Sequence, residues 1–320
     1  MKKSQRFKVL NSVNYSGCKK ALDVFDSIAD VHTVEPNYKS ISNIIKNYDA
    51  YISSLDVMID ETLLLKAKKL KVIGSPSTGT DHLDLKFASK IGIKCFSIAK
   101  EYKLINSFTA TSELAFGLLL MLNRNLISAI DSANKGEWAR EKYSGFQLNG
   151  KTFGILGLGR LGKISARIAK GFNMNVIAHD IKDMDGEGIK MVKFKELFKL
   201  SDVLSIHIHL NEKNFGLINK KCFDLMKKTS ILINTSRGGL INEQDLIDTL
   251  RNKKIKGAVL DIIYGEWNNN IKNHPLIKYA RNNSNLLISP HIGGATTESI
   301  NNARIFMAKK VARYLEKLKK

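Results

Sequence analysis

Three short segments late in the chain carry side chains able to reduce a carbonyl that stands beside a carboxylate. They are Asn234-Thr235-Ser236-Arg237-Gly238-Gly239, then Gly257-Ala258-Val259-Leu260-Asp261 with Glu266 beyond it, and Ser289-Pro290-His291-Ile292-Gly293-Gly294-Ala295-Thr296. Each follows or closes an apolar run that reads as a strand, so each falls at a strand's C-terminal end, where ligands bind in open α/β sheets. An arginine is permanently charged and forks onto planar anions. A histidine exchanges a proton near neutral pH, and a neighbouring carboxylate favours its protonated form. Arg, Glu and His are the residue types that reduction of a 2-oxo acid needs. Singly, each has a plainer reading: His291 as a core histidine, Arg237 as half of a structural ion pair, Glu266 as a surface acid.

A second constellation lies upstream. Seven glycines fall between residues 145 and 171, among them Gly157-Leu158-Gly159-Arg160-Leu161-Gly162, a GxGxxG. An apolar strand, Thr152–Leu156, precedes it and a helical pattern, Arg160–Phe172, follows. The next strand, Asn175–His179, ends in Asp180, 23 residues after Gly157. This is the dinucleotide-binding arrangement. Gly157 permits the tight turn, Gly159 lets backbone approach a pyrophosphate, and Gly162 lets helix pack on strand. The helix start at Arg160 and Leu161 aims amides and positive dipole at phosphates. Asp180 would accept from the adenosine ribose hydroxyls and repel a 2′-phosphate, which favours NAD over NADP, with Lys182 nearby as a counterweight. A glycine-rich turn without a ligand and a methyltransferase nucleotide site are the alternatives.

Elements that could position these groups alternate along the chain. Strands are expected at Phe7–Leu10, Ala50–Ser53, Leu70–Ile73 and Lys94–Ser97, and later at Thr152–Leu156, Asn175–His179, Val203–Ile208, Ser230–Asn234, Ala258–Ile262 and Leu286–Ser289. Most are continuous Val/Ile/Leu runs, as in strands buried on both faces. Helical patterns such as Thr62–Lys69 and Glu243–Asn252 lie between them, which argues for parallel sheets covered by helices. One long helix is expected over Thr109–Lys135 and a final amphipathic one over Ala295–Leu318.

The chain has 320 residues, 43% hydrophobic and 25% charged, with a net charge of +21. That composition fits about two soluble globular domains and excludes disorder as the main state. The three cysteines, Cys18, Cys95 and Cys222, exclude a disulfide scaffold and point to a reducing, cytoplasmic setting. No His/Cys/Asp cluster has zinc spacing, so no metal is expected. No apolar run approaches the roughly 18 residues of a membrane span. The lysines are spread along the chain without interleaved aromatic residues, which reads as surface charge that draws small anions rather than as a nucleic-acid site.

Together, KTFGILGLGRLGKI, NTSRGGLINEQDL, GAVLD and SPHIGGAT make the chain resemble the D-isomer-specific 2-hydroxyacid dehydrogenase family along nearly its whole length. The resemblance implies an α/β protein of two doubly wound parallel-sheet domains. A Rossmann NAD-binding domain, residues 105–293, would be inserted in a flavodoxin-like substrate domain, residues 1–104 and 294–320, and the protein would be a homodimer. It implies that Arg237 grips the substrate carboxylate, that His291 carries the proton, and that Glu266 pairs with His291. Thr235 and Asp261 match positions on the nicotinamide side of the cofactor. Thr78 and Gly79, in Ser75-Pro76-Ser77-Thr78-Gly79-Thr80-Asp81, match the loop whose amides bind the substrate carboxylate. Thr111-Ser112-Glu113 stands where Val-Ala-Glu is usual.

Some positions depart from the family pattern. Trp267 follows Glu266 where proline is common, and His209 likewise stands where proline is common. Ser54 sits where phosphoglycerate dehydrogenases of the family tend to carry an arginine for the substrate phosphate. His207 and His209 alternate on one strand, so one should face the cofactor cleft. His82 is a candidate for touching substrate, and His274, before Pro275, reads as a turn residue. The rival reading is a non-catalytic NAD-sensing binding protein of the same fold.

Overall fold

The computed structural model describes residues 6–15, 18–182, 188–267 and 270–319. The chain forms two compact units, Met1–Phe108 with Ala295–Lys320, and Thr109–Gly294.

The first unit is built on five parallel strands: β1 (Phe7–Asn11), β2 (Ala29–Thr33), β3 (Ala50–Ile52), β4 (Val72–Gly74) and β5 (Lys94–Phe96), in the order β2-β1-β3-β4-β5. That is the flavodoxin-like order, which reverses between β1 and β3. Helices Tyr38–Ile44, Glu61–Lys66 and Leu85–Lys90 make the crossovers, each started by an Asn or Asp whose side chain accepts from a first-turn amide. The 23-residue helix Thr297–Lys319 lays Met307 and Val311 on β4, so close that a Cβ at Gly74 would stand 2.6 Å from Val311.

The second unit carries seven parallel strands: β6 (Thr152–Leu156), β7 (Asn175–His179), β8 (Lys190–Met191), β9 (Val203–Ile206), β10 (Ile231–Asn234), β11 (Gly257–Leu260) and β12 (Leu286–Ile288). Their order is β12-β11-β10-β9-β6-β7-β8, a Rossmann sheet that reverses between β6 and β9. β9, β10 and β11 are buried at every residue, which is why they read as unbroken apolar runs.

Three expectations need correction. β2 and β8 had no counterpart in the sequence reading; both are edge strands, and their exposed polar residues hide the pattern. The expected helix over Thr109–Lys135 is two helices, Ala110–Asn123 and Leu126–Asn134, broken where Asn125 takes the left-handed conformation (φ 48°) that asparagine tolerates. Finally, Tyr102–Asn123 does reach the length and apolarity of a spanning segment, with a mean hydropathy of 1.3. In the fold, Ala115, Phe116, Leu119 and Leu122 of its second half are core residues packed with Phe153, Ile155 and Ile233.

Candidate active site

β6 ends at Leu156, and the chain must turn at once into helix Arg160–Gly171. Gly157 makes that turn with φ 97°, and a Cβ there would lie 2.6 Å from Ile208 and 2.8 Å from the His207 carbonyl. A side chain is excluded both by conformation and by the neighbouring strand end. A Cβ at Gly159 would meet nothing within 4 Å, so this backbone has an open face. Asp180, at the end of β7, accepts from the Leu158 amide at 2.8 Å and from the Lys182 amide at 3.0 Å. Its carboxylate is thereby fixed beside the glycine turn with acceptor capacity left. The helix is tied to the unit's first helix: Ser165 Oγ donates to Ser112 Oγ, and Ser112 Oγ to the Leu161 carbonyl. Arg160 and Leu161 form the first turn of that helix.

The three reactive side chains come from loops after β10, β11 and the strand beside it, β12. Backbone bonds stitch these loops together: Asp261 N donates to the Asn234 carbonyl, and His291 N to the Asp261 carbonyl at 2.8 Å. Arg237 opens a tight turn whose next residue, Gly238, touches the loop after β11; a Cβ there would come 2.2 Å from the Ile263 and Tyr264 backbone. Arg237 Nη1 donates to the Ser236 carbonyl, and Asn234 Nδ2 to the Arg237 carbonyl, which holds the arginine's backbone and base.

His291 is half-buried, and its Nδ1 lies 2.8 Å from Glu266 Oε1. With Glu266 as acceptor at Nδ1, Nε2 is the nitrogen left to exchange a proton. His291 adopts φ 54°, a left-handed conformation that costs a non-glycine residue energy and clusters at functional sites. Asp261, almost fully buried, supports it: its carboxylate accepts from Ser289 Oγ (2.5 Å), Ile292 N (2.9 Å) and Gly293 N (2.7 Å).

Several contributors were not legible in the sequence. Glu243 accepts from Tyr264 N at 2.7 Å, and His274 Nε2 donates to the Tyr264 carbonyl while standing 3.3 Å from Glu243. Burial pushes the Glu243 carboxyl above its ordinary range. This pair anchors the loop that carries Glu266. His274 also caps helix Pro275–Arg281 through Nδ1, the turn role expected of it. Trp267 lies against the His291 ring.

In this unit, two buried atoms at strand ends have no hydrogen-bond partner among the described residues: Thr235 Oγ1, after β10, and His207 Nδ1, after β9. His207 Nε2 pairs with Ser205 Oγ, and burial holds its ring neutral, its pKa pushed down to about 4. His209 is exposed. The open glycine turn, the fixed Asp180 and these unsatisfied atoms at the sheet's C-terminal edge fit a dinucleotide.

In the other unit, Thr78 and Gly79 follow β4 on a loop held by Ser75 Oγ to Ser77 Oγ, Ser77 Oγ to the Gly79 carbonyl, and Ser77's carbonyl to Ile98 N. His82 is buried and its Nε2 is 3.2 Å from Ser75 Oγ, a loop-holding position. Among the described residues no group with three metal-ligating side chains occurs.

Residues 116–293 match the D-isomer specific 2-hydroxyacid dehydrogenase, NAD binding domain. The chain is 35% identical over 282 residues to a glyoxylate reductase of Thermococcus litoralis, covering 85% of this chain and 80% of that one. It is 33% identical over 276 residues to a D-3-phosphoglycerate dehydrogenase of Methanocaldococcus jannaschii, covering 85% of this chain but 50% of the relative. The structure of a D-lactate dehydrogenase from Aquifex aeolicus, complexed with NAD and lactic acid, superposes with a TM-score of 0.85 at 25% identity, covering 97% and 96%. An acyclic imino acid reductase complexed with NADPH and D-Arg gives 0.83 at 26%, covering 97% of each chain. The chain belongs to the D-isomer specific 2-hydroxyacid dehydrogenase family, and its second unit is the family's NAD binding domain. It spans only about half the length of the Methanocaldococcus relative.

Proposed function

We propose that the protein is an NAD-dependent D-2-hydroxyacid dehydrogenase that interconverts a short 2-oxo acid and the D-2-hydroxy acid. The observation that carries this reading is the 2.8 Å bond between Glu266 and His291 Nδ1, on a loop strained to present the imidazole at the sheet edge of an NAD binding domain. A scaffold that only senses NAD has no use for a carboxylate-backed histidine in a costly backbone conformation.

Bound nicotinamide supplies or accepts the hydride at C2. The chain supplies the rest. His291 Nε2 gives its proton to the carbonyl oxygen in reduction and takes it from the hydroxyl in oxidation. Glu266 stabilises the imidazolium and fixes the ring edge. Arg237 binds the substrate carboxylate and polarises the 2-oxo group. The amides of Thr78 and Gly79 donate to no protein group among the described residues, which suits them to binding a carboxylate. Gly157, Gly159, Arg160, Leu161 and Gly162 cradle the pyrophosphate, Asp180 takes the adenosine ribose and selects NAD over NADP, and Thr235 takes the nicotinamide side. Asp261, matched to that side as well, spends three acceptor positions on the His291 loop.

The substrate is unphosphorylated in this reading, with glyoxylate or hydroxypyruvate ahead of 3-phosphohydroxypyruvate or a sugar-derived acid. Ser54, where the resemblance puts an arginine for the phosphate, supplies no cation, and its Oγ donates to Asp56 at 2.5 Å. The unit of residues 1–108 and 295–320 is the substrate domain. Exposed Ile127 and Ile130, one face of helix Leu126–Asn134, support a homodimer through the NAD binding domains. Three free cysteines support a cytoplasmic setting. The reading is tested by NADH oxidation against a panel of these acids, with NADPH in parallel: turnover with NADH on an unphosphorylated member supports it, and turnover confined to NADPH or to the phosphorylated acid overturns those choices.

A further inference from the structure

Two consecutive residues reach the His291 imidazole in different ways. Glu266 binds its edge at Nδ1, while the Trp267 indole lies against its face, ring centroids 5.8 Å apart and planes inclined by 33°. Trp267 remains 47% exposed, so its place on the imidazole is not a by-product of core packing. A single hydrogen bond at Nδ1 leaves the ring free to rock about the bond axis, and a contact on the face removes that freedom. The loop bearing both residues is itself held, by Tyr264 N on Glu243 and His274 on the Tyr264 carbonyl. Of the charged and titratable groups on the two loops, Glu266 stands at Nδ1 and Asp261 is bonded to Ser289, Ile292 and Gly293, while His274 is engaged with Tyr264 and Glu243, and Lys272 lies beyond them with its carbonyl accepting from Arg281.

We propose that Trp267 is a positioning residue for His291: its indole fixes the plane of the imidazole, so that Nε2 meets the substrate in one orientation, and its π face stabilises the ring while it carries the proton. Aromatic faces attract cations, and catalysis is sensitive to small errors of orientation. The inference rests on the dehydrogenase reading and assigns the residue next to Glu266 a part in the proton transfer.

The chain has two tryptophans, Trp138 and Trp267. Trp138→Phe therefore leaves Trp267 as the sole indole, and an imidazolium in ring contact quenches indole emission. The emission of Trp138→Phe should fall as pH is lowered through the His291 titration, and the titration should vanish when His291→Gln is added. In turnover, Trp267→Ala should lower kcat about tenfold with KM within about twofold, and should cut off reduction at a lower pH than in the parent. Trp267→Phe should restore kcat to within about threefold, and NADH should bind both variants like the parent, which controls for folding. Emission that ignores His291, or a Trp267→Ala enzyme with parental kcat and pH profile, overturns the proposal. Flat emission beside His291-dependent turnover removes the positioning role alone. Titrating emission with no turnover on any 2-oxo acid removes the dehydrogenase reading and the positioning role with it.

Discussion

Asp261 holds His291 through the backbone and leaves the ring to Glu266. The Asp261 carbonyl accepts the His291 amide, while its carboxylate gathers the two amides that follow and the Ser289 hydroxyl from the residue two positions before. A buried carboxylate with three donors has its charge compensated locally, and a histidine at φ 54° is kept there by the bonds on either side of it. Asp261→Asn puts an NH2 group where donors converge. The expected loss is about 2 kcal/mol of stability and about 100-fold in kcat. Thermal melts and NADH oxidation measure the two; a variant with parental values in both would remove Asp261 from the support of the loop.

The glycine turn makes a second, separable prediction. Gly157→Ala must place a methyl 2.6 Å from Ile208 at a positive φ, so the turn must open. NADH affinity should weaken by at least about tenfold, roughly 1.4 kcal/mol, as read by titration of NADH fluorescence. Unchanged affinity would mean that the turn does not carry the pyrophosphate.

Much of this site is visible in the chain as chemistry and little of it as support. β6 and β7 are legible to the residue, because apolar runs stop at Gly157 and at Asp180, whose types announce the turn and the acid. β2 is not: Ala29-Asp30-Val31-His32-Thr33 lies at a sheet edge, and the side chains it exposes, Asp30, His32 and Thr33, are all polar. Arg237, Glu266 and His291 declare themselves by type and by motif. The Asp261 contacts run through backbone amides, which no sequence displays, and the Trp267 contact joins loops 24 residues apart with no periodicity to signal it. The pairing of Glu243 with His274 is hidden for the same reason.

His207 gives the protein an acid limb of its own. Burial holds its folded pKa at about 4, below the ordinary 6.5, so the unfolded chain binds the extra proton first. The stability this neutral ring contributes is complete above pH 6.5 and is lost as pH falls from there toward 4. Roughly 2 kcal/mol is the expected size of the effect. Chemical denaturation at pH 7 and pH 4.5 should show a smaller acid loss in His207→Gln than in the parent. Equal losses would place the acid sensitivity elsewhere.

Glu266 should matter through charge. In Glu266→Gln the amide oxygen still meets Nδ1–H, but the negative charge that favours the imidazolium is gone. Reduction, which needs the protonated ring, should fail at a lower pH than in the parent, while oxidation at alkaline pH should suffer less. A rate–pH profile in both directions measures this; profiles that lose rate equally at all pH values would assign Glu266 a purely geometric part.

The most direct measurement is NADH oxidation by the purified protein with short 2-oxo acids at neutral pH, run beside His291→Gln and with NADH binding checked in both proteins. Turnover of an unphosphorylated acid to its D-2-hydroxy product, lost by at least about 100-fold in the variant while NADH still binds, is the expected result. Equal turnover in the two proteins, or tight NADH binding with no turnover on any 2-oxo acid, would take the proton transfer away from His291 and leave a protein that binds the dinucleotide without reducing with it.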